Sequence, residues 1–260
     1  MTTTPNSRAG VRSLEETAHE TSGTGGIQCR ELRFSYGPRR VLRGLDLSVA
    51  PGECLVLFGG NGAGKTTLIR ILATLARPTS GEAWIGGFNV ASEPSMVRHM
   101  VGVVSHQMYL FPDLTPRENL ELYASLYEVS DGPCRIAELL DMVGLTRRGS
   151  DLVRTMSRGM QQRLSLARAL MGGPRVLLLD EPDTGLDGSA LQVLSQVLSE
   201  GLRKALTVLV TTHRVSEGYR LGTHFGVLAR GKLAFEVDKE SISVEELERR
   251  YRAYIDSHHP

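Results

Sequence analysis

Two short segments of this sequence have the residue types and the spacing of phosphate-binding sites. The first, Gly59-Gly60-Asn61-Gly62-Ala63-Gly64-Lys65-Thr66, follows an apolar run and opens a helical pattern, which is the context that a phosphate loop requires. Its glycines let the backbone turn N–H groups toward one anion, Lys65 supplies a charge for β- and γ-phosphates, and the Thr66 hydroxyl can ligate Mg²⁺. The second segment, Met156 to Arg163, puts Ser157 and Gly159 at the start of a predicted helix, where unpaired N–H groups and the helix dipole favour an anion. The pair of segments indicates a nucleotide that is bound by two surfaces.

Polar side chains also end two apolar runs that read as buried strands. Asp180 closes Val176-Leu177-Leu178-Leu179, where a carboxylate can hold the magnesium ion through a water. Glu181 follows directly and suits a general base that polarises an attacking water. His213 closes a neighbouring run and is a candidate γ-phosphate contact, because ligands collect at the carboxyl edge of open α/β sheets.

Two further residues are candidates with alternatives that the residue types alone leave open. Gln107 follows the predicted strand 101–105, and its amide can reach either the magnesium ion or the attacking water. Tyr36 lies beyond the first predicted strand, and its ring can stack on adenine or pack in the core.

The elements that must position these residues alternate between strands and helices. Residues 32–36 and 41–49 alternate apolar with polar residues around Gly37-Pro38, which predicts an antiparallel strand pair. The continuous apolar run 53–58 predicts a parallel strand covered on both faces, followed by a helix from Lys65 to about Ala76. Further strands are predicted at 82–85, 101–105, 176–179, 207–210 and 225–228, and further helices at 116–127, 135–143, 159–171, 189–203 and 245–254. For the helix at 116–127 the sequence predicts Thr115 as the cap and an apolar face of Leu120, Tyr123, Leu126 and Tyr127. This order predicts a mostly parallel sheet.

The same pattern divides the chain into three parts. Residues 1–26 are rich in Thr, Ser, Gly and Glu, which predicts a disordered tail. Residues 27–238 form the predicted globular domain, with a helical subdomain at about 108–170, and residues 239–260 form a terminal helix and tail.

Composition excludes several classes of protein. The 260 residues carry a formal net charge of +1 and no basic block, so a nucleic-acid partner is not expected. Cys29, Cys54 and Cys134 are widely spaced and lack CxxC spacing, which argues against a disulfide framework and a zinc site. No apolar run approaches the ~20 residues of a membrane helix, and the polar N-terminus has no signal-peptide pattern. We therefore expect a cytosolic protein that can still dock on a membrane protein.

In this order the motifs resemble an ABC-type ATPase over roughly residues 27–235. The resemblance implies a RecA-like P-loop NTPase fold, with a mostly parallel core sheet, an antiparallel β subdomain and an inserted helical subdomain. It implies ATP and Mg²⁺ as cofactors, and pairing of two copies head to tail so that each signature segment (Met156–Arg163) completes the partner's ATP site. It assigns roles to Tyr36 (adenine), Gly59 to Thr67 (Walker A, including Thr66 and Thr67), Gln107 (Q-loop), Ser157 and Gly159 (signature), Asp180 (Walker B), Glu181 (catalytic glutamate), Asp187 (D-loop) and His213 (switch).

The sequence departs from the usual family pattern at four positions. Gly60 replaces a proline of the Walker loop, Arg158 and Met160 replace a glycine and a glutamine of the signature, and Asp183 stands where a phenylalanine is more usual. The Ser-Arg-Gly-Met-Gln-Gln-Arg segment, together with residues 105–107 and 113–123, is similar to the haem-exporter ATPase of cytochrome c biogenesis. The Ser-Arg-Gly-Met form also occurs in ATPases of ABC-2-type exporters for drugs, ions or polysaccharides, which is the alternative.

The resemblance implies transmembrane permease subunits as partners and a position on the cytoplasmic face of the cell membrane. Tyr109, Phe111 and Leu114, near Gln107, are either anchors for such a partner or local core. Soluble ABC ATPases are a second class, of which an iron–sulfur assembly ATPase remains possible although its signature differs. A non-catalytic structural subunit conflicts with the presence of Lys65, Asp180, Glu181 and His213.

Overall fold

The computed structural model describes residues 26–183 and 188–256. The predicted disorder of the first 25 residues, the D-loop residue Asp187 and the last four residues lie outside this part of the chain. Its strands are β1 (Ile27–Tyr36), β2 (Arg39–Val49), β3 (Cys54–Phe58), β4 (Ser80–Ile85), β5 (Phe88–Asn89), β6 (Val101–Val104), β7 (Val176–Asp180), β8 (Thr207–Thr212), β9 (His224–Ala229) and β10 (Lys232–Asp238). Its α-helices are α1 (Lys65–Leu72), α2 (Pro94–Met100), α3 (Pro116–Leu126), α4 (Gly132–Met142), α5 (Arg158–Leu170), α6 (Gly188–Arg203), α7 (Val215–Leu221) and α8 (Val244–Asp256).

Two sheets organise these elements. A six-stranded sheet has the order β10-β9-β3-β8-β7-β6, in which the neighbours from β9 to β6 are parallel and β10 is antiparallel to β9. A four-stranded antiparallel sheet has the order β2-β1-β4-β5. The helices α3, α4 and α5 form the insert between β6 and β7. The predicted fold class, with its parallel core, antiparallel β subdomain and helical insert, is confirmed.

The core strands divide their side chains between two hydrophobic clusters. Val56 and Phe58 of β3 belong to the cluster that contains the helical insert, whereas Leu55 and Leu57 belong to the cluster under α1 and the antiparallel sheet. Successive side chains of a strand point to opposite faces, so a strand that is apolar throughout must be covered on both sides. Packing on both faces of the sheet holds its carboxyl edge in place, and the candidate catalytic residues lie along that edge.

The structure corrects the end of the first helix. The sequence predicts α1 to about Ala76, but it ends at Leu72. Thr74 adopts a left-handed φ of 60°, and the N–H of Leu75 bonds back to the carbonyl of Arg70 at 2.8 Å. This backbone reversal closes the helix although apolar residues continue the helical spacing.

The start of α3 agrees with its prediction in detail. Thr115 caps the helix, since its hydroxyl accepts from the N–H of Glu118 at 3.2 Å while the Glu118 carboxylate accepts from the N–H of Thr115 at 2.7 Å. This capping box satisfies two helix-end donors. On the same helix Leu120 is buried but Leu126 is 67% exposed, so the predicted apolar face is only partly covered.

All three thiols are free, as the spacing of the cysteines predicts. Cys29 and Cys54 are buried, and burial raises the pKa of each thiol to about 12, so both stay protonated and unreactive at neutral pH. Cys134 is exposed.

Candidate functional site

The phosphate loop joins β3 to α1 and has the backbone that anion binding needs. Gly62 and Gly64 adopt φ values of 80° and 111°, a left-handed region that glycine enters without steric cost. Lys65 is buried, and its Nζ donates to the carbonyl of Gly59 at 2.6 Å and lies 3.4 Å from that of Gly60. The ammonium group is therefore held at the start of the loop. Thr66 is exposed at the first turn of α1, and the neighbouring Thr67 is buried.

Three of the predicted catalytic and binding residues meet at one point. The Oε1 atom of Glu181 lies 3.4 Å from the Nζ of Lys65 and 3.5 Å from the Nδ1 of His213. Lys65 comes from the loop after β3, Glu181 follows β7 and His213 follows β8, so three adjacent parallel strands deliver them to the same edge of the sheet. This is the edge at which open α/β sheets bind ligands.

Asp180 is positioned by a residue that sequence reasoning missed. Its Oδ1 accepts a hydrogen bond of 2.6 Å from the Oγ1 of Thr211, which is its register partner on β8. Both residues are buried. The bond fixes one oxygen of the carboxylate. Only the strand register could have indicated Thr211, because the two residues are 31 positions apart.

The donor set fits a magnesium ion that is bound mainly through a ligand. Within residues 26–183 and 188–256, no group of three or more His, Cys, Asp and Glu side chains converges as a metal site. Mg²⁺ keeps several waters and commonly takes one or two protein oxygens plus substrate phosphates. One fixed carboxylate at Asp180 and one exposed hydroxyl at Thr66 match that pattern.

Glu181 carries a backbone feature that is typical of functional positions. Its φ is 52°, a left-handed value that is uncommon for a residue with a side chain. Its N–H donates to the carbonyl of Thr211 at 2.8 Å, so the unusual conformation is held by the adjacent strand. The result is a carboxylate that turns toward Lys65 and His213.

The C-terminal helix α8 borders the same site, a contact that the sequence does not reveal. A Cβ placed on Gly60 would lie 3.6 Å from the Cδ1 of Ile255, and the ring of Tyr251 lies 6.0 Å from that of Phe58. Burial and, less strongly, the charge of Glu181 raise the pKa of Tyr251. Nothing at Gly60 demands a glycine, since its φ is not in the left-handed region and the nearest neighbour is at ordinary contact distance.

Tyr36 and Gln107 lie outside the Lys65–Glu181–His213 cluster. Tyr36 is the last residue of β1 rather than a residue beyond it, is 48% exposed, and packs edge-on against Phe34 with ring centroids 4.8 Å apart. Its ring is thus available to a ligand. Gln107 is exposed after β6, and its backbone carbonyl accepts from the hydroxyl of Ser105 at 3.0 Å. Its side-chain amide makes no hydrogen bond to the residues that the structure describes.

The signature segment begins α5 as predicted. Ser157 is the N-cap, and its Oγ accepts from the N–H of Met160 at 3.3 Å. Ser157 and Arg158 are exposed, and a Cβ on Gly159 would meet only Ala190, at 4.0 Å. The start of α5 is therefore an open surface. No described contact joins it to the phosphate loop of the same chain.

Helix α5 also holds the segment that follows Gln107. The hydroxyl of Ser165 donates to the carbonyl of Met108 at 3.2 Å. The guanidinium of Arg168 donates to the carbonyl of Val103 and lies 5.6 Å and 5.3 Å from the ring centroids of Tyr109 and Tyr123. One helix therefore carries the signature segment at its start and fixes the Gln107 loop from its end.

Comparison with known proteins identifies the family. The model of the family described as "ABC transporter" matches residues 42–184, which is more than half of the chain. This chain belongs to the ABC transporter family. It is an ATP-binding subunit and an ABC-type ATPase. The motifs of that family lie at the edge of the sheet described above.

Curated relatives of this ABC ATPase include exporter subunits. It is 37% identical over 223 residues, 85% of its length and 73% of the relative's, to "Nod factor export ATP-binding protein I" of Paraburkholderia xenovorans (strain LB400). The protein of the same name in Burkholderia orbicola (strain AU 1054) is 40% identical over 208 residues, 79% of this chain and 68% of that protein. "Linearmycin resistance ATP-binding protein LnrL" of Bacillus subtilis (strain 168) is 32% identical over 209 residues, 80% of this chain and 67% of that protein.

Solved structures agree with the family. An ATP-binding subunit of an ABC transporter superimposes with a TM-score of 0.79 at 28% identity and covers 87% of this chain and 99% of that structure. A dimeric ATP-binding cassette in a post-hydrolysis state with ADP and Pi superimposes with a TM-score of 0.72 at 27% identity, covering 82% of this chain and 98% of that structure.

Proposed function

We propose that this ATPase powers an ABC-2-type exporter, with ATP hydrolysis coupled to movement of a substrate through a separate membrane permease. The observation that carries the exporter assignment is the similarity to subunits named for Nod factor export and for linearmycin resistance. The haem-export hypothesis rests on the Ser-Arg-Gly-Met-Gln-Gln-Arg segment and on residues 105–107 and 113–123, and these relatives give it no support. The export hypothesis is therefore preferred, and the chemical identity of the exported substrate is left to the permease.

The residues around Glu181 have separate roles in ATP hydrolysis. The N–H groups of Gly59 to Thr67 and the ammonium of Lys65 bind the β- and γ-phosphates. Glu181 orients and polarises the attacking water, and His213, 3.5 Å from it, contacts the γ-phosphate. Asp180, Thr66 and Gln107 hold the magnesium ion, which supplies neutralisation of the charge that develops on the phosphates. Gln107 can orient the attacking water instead.

Lys65 has partners within its own chain. Its ammonium is paired with Glu181 and with two loop carbonyls. Such pairing compensates a buried charge, because an uncompensated one costs several kcal/mol. Phosphate oxygens replace these partners when nucleotide binds, and the exchange frees the Glu181 carboxylate for the water.

A second copy of the chain completes each site. Ser157 is exposed and Gly159 half-buried at the start of α5, where a Cβ on Gly159 would meet only Ala190 and no residue of the phosphate loop. Unpaired N–H groups at a helix start bind anions. We assign this surface to the γ-phosphate of the partner subunit's ATP, in a head-to-tail homodimer. The dimeric state of the related cassette supports this arrangement.

The permease docks next to the Gln107 loop. Tyr109 and Phe111 are 41% and 47% exposed, and Leu114 is half-buried. Exposed aromatic side chains in a cluster are typical anchors of interfaces. No helix in the part of the chain that the structure describes is long and apolar enough to cross a membrane. The permease would place this subunit on the cytoplasmic face of the membrane.

Copurification from host membranes tests the exporter assignment. The tagged full-length chain should retain an ABC-2-type permease, and the Phe111→Asp variant should lose it while keeping its nucleotide affinity. Leu126→Asp, at an exposed apolar position at the end of α3, is the matched control and should retain the permease. Recovery of cytochrome c assembly proteins in place of an exporter permease would overturn the proposal.

A further inference from the structure

A cluster of arginines borders the phosphate loop, outside the residues that carry the family motifs. Arg39, Arg40 and Arg43 of β2 and Arg230 of the β9–β10 turn, here called the arginine cluster, line an open cavity of about 680 Å³ together with Gly62. The turn is joined to β2, since the N–H of Arg43 donates to the carbonyl of Gly231 at 2.9 Å. The whole chain has a formal charge of only +1. Four like charges around one cavity are therefore a local feature of this surface.

Three arginines of the cluster have charge that a ligand could meet. Among residues 26–183 and 188–256, no acidic residue lines the cavity. Arg39, Arg40 and Arg43 are exposed and make no ion pair with any residue of the described ranges. Like charges gathered on one surface create a positive potential that attracts anions and raises their local concentration.

Arg39 lies between the two ends of the predicted nucleotide. On the hairpin of β1 and β2 it is the register partner of Tyr36, the residue assigned to adenine. Its Nη2 atom lies 3.5 Å from the position that a Cβ on Gly62 would occupy, so its guanidinium reaches the phosphate loop. When a nucleotide places its base on Tyr36 and its terminal phosphates in the loop, its ribose and α-phosphate lie next to Arg39.

We propose that Arg39 binds the α-phosphate of the nucleotide held by its own subunit, and that Arg40 and Arg43 draw anionic nucleotide to the site. The guanidinium is a planar donor fork that matches two phosphate oxygens, whereas a lysine in its place would keep the charge without the fork. The inference rests on the proposed nucleotide site and adds a residue outside the motifs that assign that site.

Affinities for a series of ligands test the assignment. The full-length wild type and its Arg39→Gln and Arg39→Lys variants are titrated with ATP and ADP by calorimetry, and with AMP, adenosine and inorganic phosphate by ligand-observed NMR. Arg39→Gln should weaken ATP, ADP and AMP about tenfold, in the range of a hydrogen bond to a charged group, and leave adenosine unchanged. Arg39→Lys should recover part of the loss. The exposed Arg77, after α1, gives a matched control, and Arg77→Gln should bind every ligand as the wild type does.

Three results would overturn the role of Arg39. The first is an Arg39→Gln variant that binds the nucleotides as tightly as the wild type. The second is a loss of affinity for adenosine by the same factor as for the nucleotides. The third is a loss of affinity for inorganic phosphate alone, which would indicate a separate anion site. Failure of the underlying nucleotide site looks different. In that case the wild type itself would bind no ATP, or Lys65→Ala would bind ATP as tightly as the wild type.

Discussion

At the scale of single residues, the chemistry of this ATPase depends on hydrogen-bond partners at the ends of β7 and β8. Sequence spacing is sufficient to nominate Lys65, Asp180, Glu181 and His213, since each ends or follows an apolar run. It does not reveal the hydroxyls that hold them. Thr211 donates to Asp180, its register partner on the adjacent strand, and Thr212, the next residue of β8, donates to Asp183 at 3.0 Å.

Asp183 gives a pH-dependent prediction at this scale. Burial raises the pKa of its carboxyl, although Thr212 and Arg214 oppose the shift, and its Oδ1 has no hydrogen-bond partner in the described chain. A carboxyl whose pKa is higher in the folded state contributes stability below its unfolded pKa of about 4, and that stability is lost as the pH rises through the folded pKa. Asp183→Asn should therefore raise the free energy of unfolding at pH 7, and the gain should shrink to nothing as the pH falls below about 4.

Denaturant unfolding at a series of pH values measures this gain. Glu138→Gln on the surface of α4 is a suitable control, because an exposed i,i+3 pair with Arg135 contributes little. A gain of the same size at every pH would contradict the desolvation account of Asp183.

At the scale of elements, α5 connects the signature segment to the Gln107 loop. Ser157 starts the helix, and about two and three turns later Ser165 and Arg168 contact the backbone of Met108 and Val103, respectively. The guanidinium of Arg168 is buried, and burial lowers its pKa while the stacked tyrosines counter the shift. A change at either end of this helix thus reaches the other through fixed contacts.

Replacement of Arg168 should be costly. Arg168→Met leaves the Val103 carbonyl without its donor and removes the contacts to the rings of Tyr109 and Tyr123. An unsatisfied buried polar group costs about 1–3 kcal/mol, and the lost cation–π contacts add to it. Arg154→Met breaks an exposed pair with Asp113 and should change stability by less than about 0.5 kcal/mol. Equal midpoints for the two variants in urea would contradict the structural role of Arg168.

The elements also show where sequence reasoning stops. Continuous apolar runs predict β3, β7 and β8 well, because a strand that is covered on both faces has apolar side chains along its whole length. The predicted end of α1 is wrong by four residues. The left-handed backbone of Thr74 ends the helix, although the apolar residues continue the helical spacing. The seven-residue helices α2 and α7 are too short to carry a clear period. The contact of Arg39 with Gly62 depends on how the hairpin packs over the loop, which no local pattern encodes.

At the scale of the whole molecule, the two predicted phosphate-binding segments lie on different surfaces of one chain. The phosphate loop with Glu181 and His213 lies at the carboxyl edge of the six-stranded sheet, and the exposed helix start at Ser157 belongs to the helical insert. The central claim is that these two segments meet only between two copies when ATP is bound. Glu181→Gln keeps the shape of the side chain and removes its charge, so ATP should bind and persist.

The mass of the Glu181→Gln protein in solution tests this claim most directly. With saturating Mg²⁺ and ATP, light scattering should give a stable dimer of twice the 28.4 kDa chain, and without nucleotide a monomer. Adding Ser157→Arg in the same background should abolish the dimer and leave ATP affinity intact, because the change blocks only the surface that faces the partner. A Glu181→Gln protein that binds ATP and stays at 28.4 kDa would contradict the account.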